Sequence, residues 1–205
     1  MTEPLPFAPD EAKSVVLDVK WVCLGSRVAG VVTVPHLPGA DAPRLVEDRH
    51  RWRLPAELIA NGAPGGDWAD DPAIGCWAEA AHPQQDAVRV VEAGAAGRGL
   101  VSVAVTRRRL VVMFPRKLLA DAPDTRPRGM FGRPKGNRTD WAEGDIPHIQ
   151  FSVPQDRIAG YHTALVGRSI PAPRFLAVTF TDGSVLFIRC DKPDPHVEKI
   201  RALTT

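Results

Sequence analysis

Cysteine is scarce, long apolar runs are missing, and the N-terminus has none of the features of a secretory leader. Each absence removes a class of protein. Only Cys23, Cys76 and Cys190 occur, an odd number at wide spacings with no cluster of histidines beside them. That pattern provides neither a disulfide framework nor the short paired spacing of a zinc site, and it suits reduced thiols. The opening MTEPLPFAPDEAK has acids and prolines where a signal peptide needs a basic stretch and then an apolar run, so secretion is not expected. Charge interrupts every apolar stretch well short of the roughly 18 to 20 residues that a membrane-spanning helix requires. The expected location is the cytoplasm, with the inner face of the membrane as a peripheral alternative.

What is present describes a folded chain. Its 205 residues are enough to bury a core without a disulfide or metal staple, and hydrophobic residues (44%) and charged residues (24%) stand in ordinary globular proportion. The net charge of +2 conceals a split: residues 1–86 carry 7 basic and 13 acidic residues, residues 87–205 carry 19 and 11. Halves of opposite sign imply that the two dock on one another or that the basic half faces an anionic partner.

Residues 1–86 read as a mixed α/β extension or small subdomain, acidic and rich in tryptophan, packed on the rest. Residues 14–23 (SVVLDVKWVC) fit both a helical and a strand period, and their β-branched content favours a strand. Residues 30–34 (GVVTV) would be its hairpin partner. A short helix is expected at 55–60, and Asp71-Pro72 resembles the capped start of a helix running to about residue 81. Four of the five tryptophans, Trp21, Trp52, Trp68 and Trp77, fall in this part, which implies packing.

From residue 87 onward, short apolar runs bounded by turn residues recur at close intervals. Seven strands are expected, at 87–93, 100–106, 109–114, 148–153, 157–165, 175–181 and 184–190, with Asp182-Gly183 as a hairpin turn. Residues 94–99 (GAAGRG) would form the first turn, and 115–147 a long insertion. A last helix begins near Pro193 or Pro195 and carries Val197, Ile200 and Leu203 as an apolar stripe, suited to plugging an open end.

Residues 99–114 (GLVSVAVTRRRLVVMF), 157–162, and 175–190 with the terminal helix resemble bacterial PH-like and GRAM-like domains. In these, a strand ending in Thr precedes a basic turn and a strand opening Arg-Leu, and a helix caps the last hairpin. The resemblance covers 87–205. It implies a mainly β fold, a PH-like seven-stranded barrel or sandwich with a C-terminal capping helix. It also implies a non-catalytic binding or adaptor module, most simply one that recognises a protein. The first turn offers only Arg98 where lipid-binding members concentrate cations, so binding of phosphoinositide in the usual pocket is not expected.

The candidate partner site is the basic insertion. Arg116, Lys117, Arg126, Arg128, Arg133, Lys135 and Arg138 face only Asp121 and Asp124 between residues 116 and 138. Met130 and Phe131 stand between glycines within it, where an apolar wedge flanked by cations could enter a partner groove or an anionic membrane surface. Arg107 and Arg108, at the turn before residue 109, border the same candidate surface. Nucleic acid ranks below both partners, since no nucleic-acid-binding motif is present. A sheet edge left open could support a homo-oligomer. No catalytic, cofactor or metal residues are assigned. Enzymatic chemistry would need a pocket collecting His148, His162 and acids, and Cys190 reads as a core residue.

Overall fold

The structure is a computed structural model, and it describes residues 7–8, 11, 13–18, 23–35, 43–45, 54–97, 100–122, 130–132 and 145–205. Among the described residues, ten strands form two sheets. The first sheet has the order β1 (Ser14–Asp18), β5 (Ser102–Thr106), β6 (Arg109–Pro115) and β7 (Pro147–Pro154), all antiparallel. The second has the order β3 (Val31–Thr33), β2 (Cys23–Val28), β4 (Ile74–Ala80), β10 (Val185–Arg189), β9 (Arg174–Phe180) and β8 (Ile158–Leu165), with β2 and β4 paired in parallel. Strands from both sides of residue 86 are therefore hydrogen-bonded within each sheet.

Alternation decides what faces inward. Val103 and Val105 of β5 and Leu110, Val112 and Phe114 of β6 meet Leu176, Val178, Leu186 and Ile188 of the opposite sheet in one core. Two helices complete it. Helix α2 (Asp86–Ala96) packs on β2, β4 and β10 of one sheet and on β6 and β7 of the other. Helix α3 (Pro193–Thr204) bridges the opposite flank, from β8 and β9 across to β1 and β5. The terminal helix thus plugs an open side, with Val197 and Ile200 buried.

Several expectations need correction. No closed barrel forms among the described residues, because each sheet keeps its own two edge strands. Six of the seven strands expected after residue 87 are present, but 87–93 belongs to α2, and 94–96 of the expected turn forms its last residues. Arg89, Glu92 and Ala95 are the less buried positions, a spacing of three that suits a helix, while Val90 and Val91 are both fully buried. The expected helix at 71–81 is strand β4. Asp71 does accept a hydrogen bond from the Ala73 amide at 2.8 Å, but as a local turn that delivers the chain into the sheet. Ile74 through Ala78 are all buried, so the strand has no polar face to betray its period. The hairpin partner of Val31–Thr33 is Cys23–Val28, not residues 14–23; Ala29 and Gly30 form its turn at φ 48° and 82°. Residues 19–22 lie outside the described set.

The outer face of the six-stranded sheet is also covered. Helix α1 (Ala56–Asn61) and the 3-10 segment Pro64–Asp70 lie over Trp77, Phe175 and Phe187. Trp68 stacks on Trp77 with centroids 4.9 Å apart and planes 7° from parallel, and both rings are buried. Arg189 donates to the carbonyls of Ile74, Ala69 and Asp71 while its guanidinium carbon lies 4.8 Å from the Phe175 centroid. Trp21 and Trp52 lie outside the described residues.

Gly25 is required beneath this layer, because a Cβ there would meet Trp77 ring carbons at 2.6 and 2.9 Å. Trp77 is held between Trp68 and a 2.7 Å hydrogen bond to Glu79, so it has little room to yield. Gly25→Ala is expected to lower stability by about 1–3 kcal/mol in urea unfolding. An unchanged midpoint would show that the ring can move aside.

Candidate functional site

The basic insertion begins at the end of β6. Its base is tied down on both sides: the Arg116 amide donates to the Ile146 carbonyl at 2.9 Å, and the Ala120 amide donates to the Arg44 carbonyl at 2.7 Å. Lys117 Nζ lies 2.7 Å from Asp145 Oδ2, with the two side chains only 14% and 17% exposed. Lys117 therefore closes the loop base, and its charge already has a carboxylate. Met130 and Phe131 are 93% and 87% exposed, and Gly132 follows at φ 70°. Arg126, Arg128, Arg133, Lys135 and Arg138 lie outside the described residues.

Arg107 and Arg108 occupy the opposite end of β6. They are exposed on the turn between β5 and β6, separated from Arg116 by a strand whose length is roughly 25 Å. The two basic groups therefore do not share a root. Thr106 organises the turn: its buried hydroxyl accepts from the Arg108 and Arg109 amides at 3.2 and 3.1 Å. The same hydroxyl donates to Glu11 at 2.9 Å.

Glu11 is a site residue that sequence reasoning missed: its Oε2 accepts from the Ala8 amide at 3.1 Å, but its charged partner Arg109 is nearly a hundred positions away. Arg109 grips its carboxylate in a fork, Nε to Oε1 and Nη2 to Oε2, both at 2.9 Å. The Arg109 hydrogen bond holds the Glu11 carboxyl down at about 2, against the opposing effect of burial. Because the folded value lies below the unfolded one, this stabilisation is complete above about pH 4.5 and is lost as pH falls towards 2. Glu11→Gln should lower stability at pH 7 by about 2 kcal/mol and flatten the acid limb of the stability profile. A variant whose profile parallels the wild type between pH 5 and 2 would contradict this.

A second cluster was equally hidden. Asp182, in the β9–β10 turn, accepts from the Asp86 amide at 2.7 Å and from Ser184, whose hydroxyl in turn accepts from the Ala87 amide at 3.1 Å. Asp86 is fully buried with Arg157 at 2.9 Å, and burial pushes its carboxyl upward in spite of that cation. Burial also raises Asp182, but the hydrogen bonds from Ser184 and the Asp86 amide outweigh it and hold that carboxyl down. Asp182 and Ser184 thereby cap α2.

The two candidate histidines fall in different sheets. His148 on β7 packs against Phe114 with centroids 4.9 Å apart, and burial lowers its pKa. His162 is exposed on β8. Burial pushes the Cys76 thiol up, and Cys190 is half-buried. Among the described residues no group of three histidine, cysteine or acidic side chains could hold a metal ion. No helix among them is long and apolar enough to cross a membrane. No protein-family model, curated protein or solved structure matches the chain.

Proposed function

We propose that the protein is a non-catalytic, PH-like binding or adaptor module that recognises a protein partner through the tip of its basic insertion. The observation that carries this reading is the exposure of Met130 and Phe131 on a loop whose base is anchored. Two large apolar side chains held in water gain about 1.5–3 kcal/mol each when a partner buries them. Arg126, Arg128, Arg133, Lys135 and Arg138 flank the pair in sequence and supply charge that would orient an acidic partner. The PH-like part of the reading is supported by the succession β5 to β10 with a terminal helix across both sheets. The helix α2, and the four strands contributed before it, are additions to that pattern.

The same exposed pair favours a second reading, peripheral attachment to an anionic membrane surface. There the ring and thioether would enter the head-group layer, and each nearby cation would add about 1 kcal/mol. Met130→Ser/Phe131→Ser tests both. Under the protein reading, the double variant keeps its fold by circular dichroism and loses its cross-linked partner, with affinity reduced at least tenfold. Wild type and variant should then behave alike towards anionic liposomes at low and physiological salt. Salt-sensitive sedimentation of the wild type, abolished in the variant, would transfer the site to the membrane. Identical behaviour in both assays would remove the tip from the function.

A further inference from the structure

The outer face of the four-stranded sheet carries a seat that the chain fills with its own N-terminal residues. Alternation that sends Val103, Val105, Leu110 and Val112 into the core turns Ala104, Val111 and Met113 outward. These three form a small apolar patch against which Phe7 and Ile149 pack. Beside it lies Arg109, whose guanidinium carbon is 5.9 Å from the Phe7 ring centroid and whose fork holds both Glu11 oxygens. Thr106 adds a hydroxyl donor to the same carboxylate. An aromatic ring and a carboxylate four residues apart thus occupy an apolar subsite and an adjoining cationic one. The Glu11 amide donates to the Ala8 carbonyl at 2.8 Å, and the Ala8 amide donates to Glu11 Oε2 at 3.1 Å.

We propose that this seat is a docking site for an acidic peptide of a partner protein, bearing an aromatic side chain about four residues before a carboxylate, and that residues 7–11 occupy it as a self-ligand. Three observations support displacement. The seat is a cluster separate from the main core, and the arm that fills it lies outside the ladder between β1 and β5. Its polar half is an arginine fork, the geometry suited to any carboxylate rather than to Glu11 alone. Arg107, exposed on the same turn, gives an approaching acidic segment a favourable field. A tethered competitor acts at an effective concentration in the range of about mM, so the arm would mask the seat against weak ligands and yield to stronger ones. The surface is distinct from the Met130–Phe131 tip, and the two proposals stand or fall separately.

The chain's own segment MTEPLPFAPDEAK, labelled with fluorescein, serves as the probe in anisotropy titrations against the full-length protein. It should bind the variant Phe7→Ser/Glu11→Gln at least tenfold more tightly than it binds wild type. Adding Arg109→Gln to that variant should abolish the gain. Equal binding by wild type and the opened variant, or binding indifferent to Arg109→Gln, overturns the proposal. Should the double variant lose its fold by circular dichroism, Glu11→Gln alone keeps the Phe7 contact and is expected to gain several-fold in peptide affinity; no gain overturns the proposal equally. Concentration-dependent dimerisation of wild type, abolished by Phe7→Ser/Glu11→Gln, would assign the seat to a second copy of the arm and overturn the partner peptide.

Discussion

Helix α2 begins with amides that no side chain of its own cap position satisfies, and the β9–β10 turn supplies what is missing. Asp182 and Ser184 accept the first two amide protons, the Gln85 amide group donates back to the Asp182 carbonyl, and Gln85 Oε1 accepts from the Ala81 and His82 amides. One junction thereby fixes the end of β4, the start of α2 and the last hairpin. The rest of the architecture depends on it, because α2 closes one flank between sheets which share no strand pairing among the described residues. Unanchored, its first turn would leave buried polar groups unpaired, at a cost of about 1–3 kcal/mol for each.

The opposite charges of the two parts of the chain are used in part inside the fold. Glu11 meets Arg109, Asp67 meets Arg168 at 3.0 Å, and Asp86 meets Arg157, each acid coming from the first 86 residues and each arginine from the remainder. Asp70 accepts the Arg168 and Ser169 amides as well, locking the 166–173 connection against the segment that covers Trp68. These contacts lie at the margins of the sheets, where they orient neighbouring segments rather than fill a core. Arg107 and Arg108 are exposed on the β5–β6 turn, and both proposed docking surfaces draw on an arginine-rich setting next to a small apolar feature.

Local chemistry was enough to place most strands of the second part. The Asp182-Gly183 turn, the Thr106–Arg109 turn and the alternation through Val103, Val105, Leu110 and Val112 are signals carried by neighbours in the chain, and β5 to β10 lie close to where they pointed. The proline-led start of α3 and its stripe of Val197 and Ile200 likewise needed no distant information. The segments that misled are those buried on every side or capped from afar. Ile74–Ala78 has no polar face, so its period is invisible, and the Asp71 turn imitates a helix cap. Val88, Val90 and Val91 favour a strand by branching at Cβ, whereas the helix they form is capped by Asp182 and Ser184, about 97 positions away.

The candidate site divides along the same line. That Met130 and Phe131 sit among cations was legible, because it is a matter of adjacency. That Lys117 is consumed by Asp145, that Arg107 and Arg108 leave the opposite end of β6 from Arg116, and that Phe7 and Glu11 settle on Ala104, Val111 and Arg109 were not. By itself the sequence determined turn positions, strand alternation, the terminal helix and the composition of the basic insertion, since each depends on residues within a few positions of one another. Only the tertiary structure decided which strands share a sheet, where α2 begins, and which charges are already satisfied, because those follow from hydrogen bonds and packing between residues brought together across nearly half the chain.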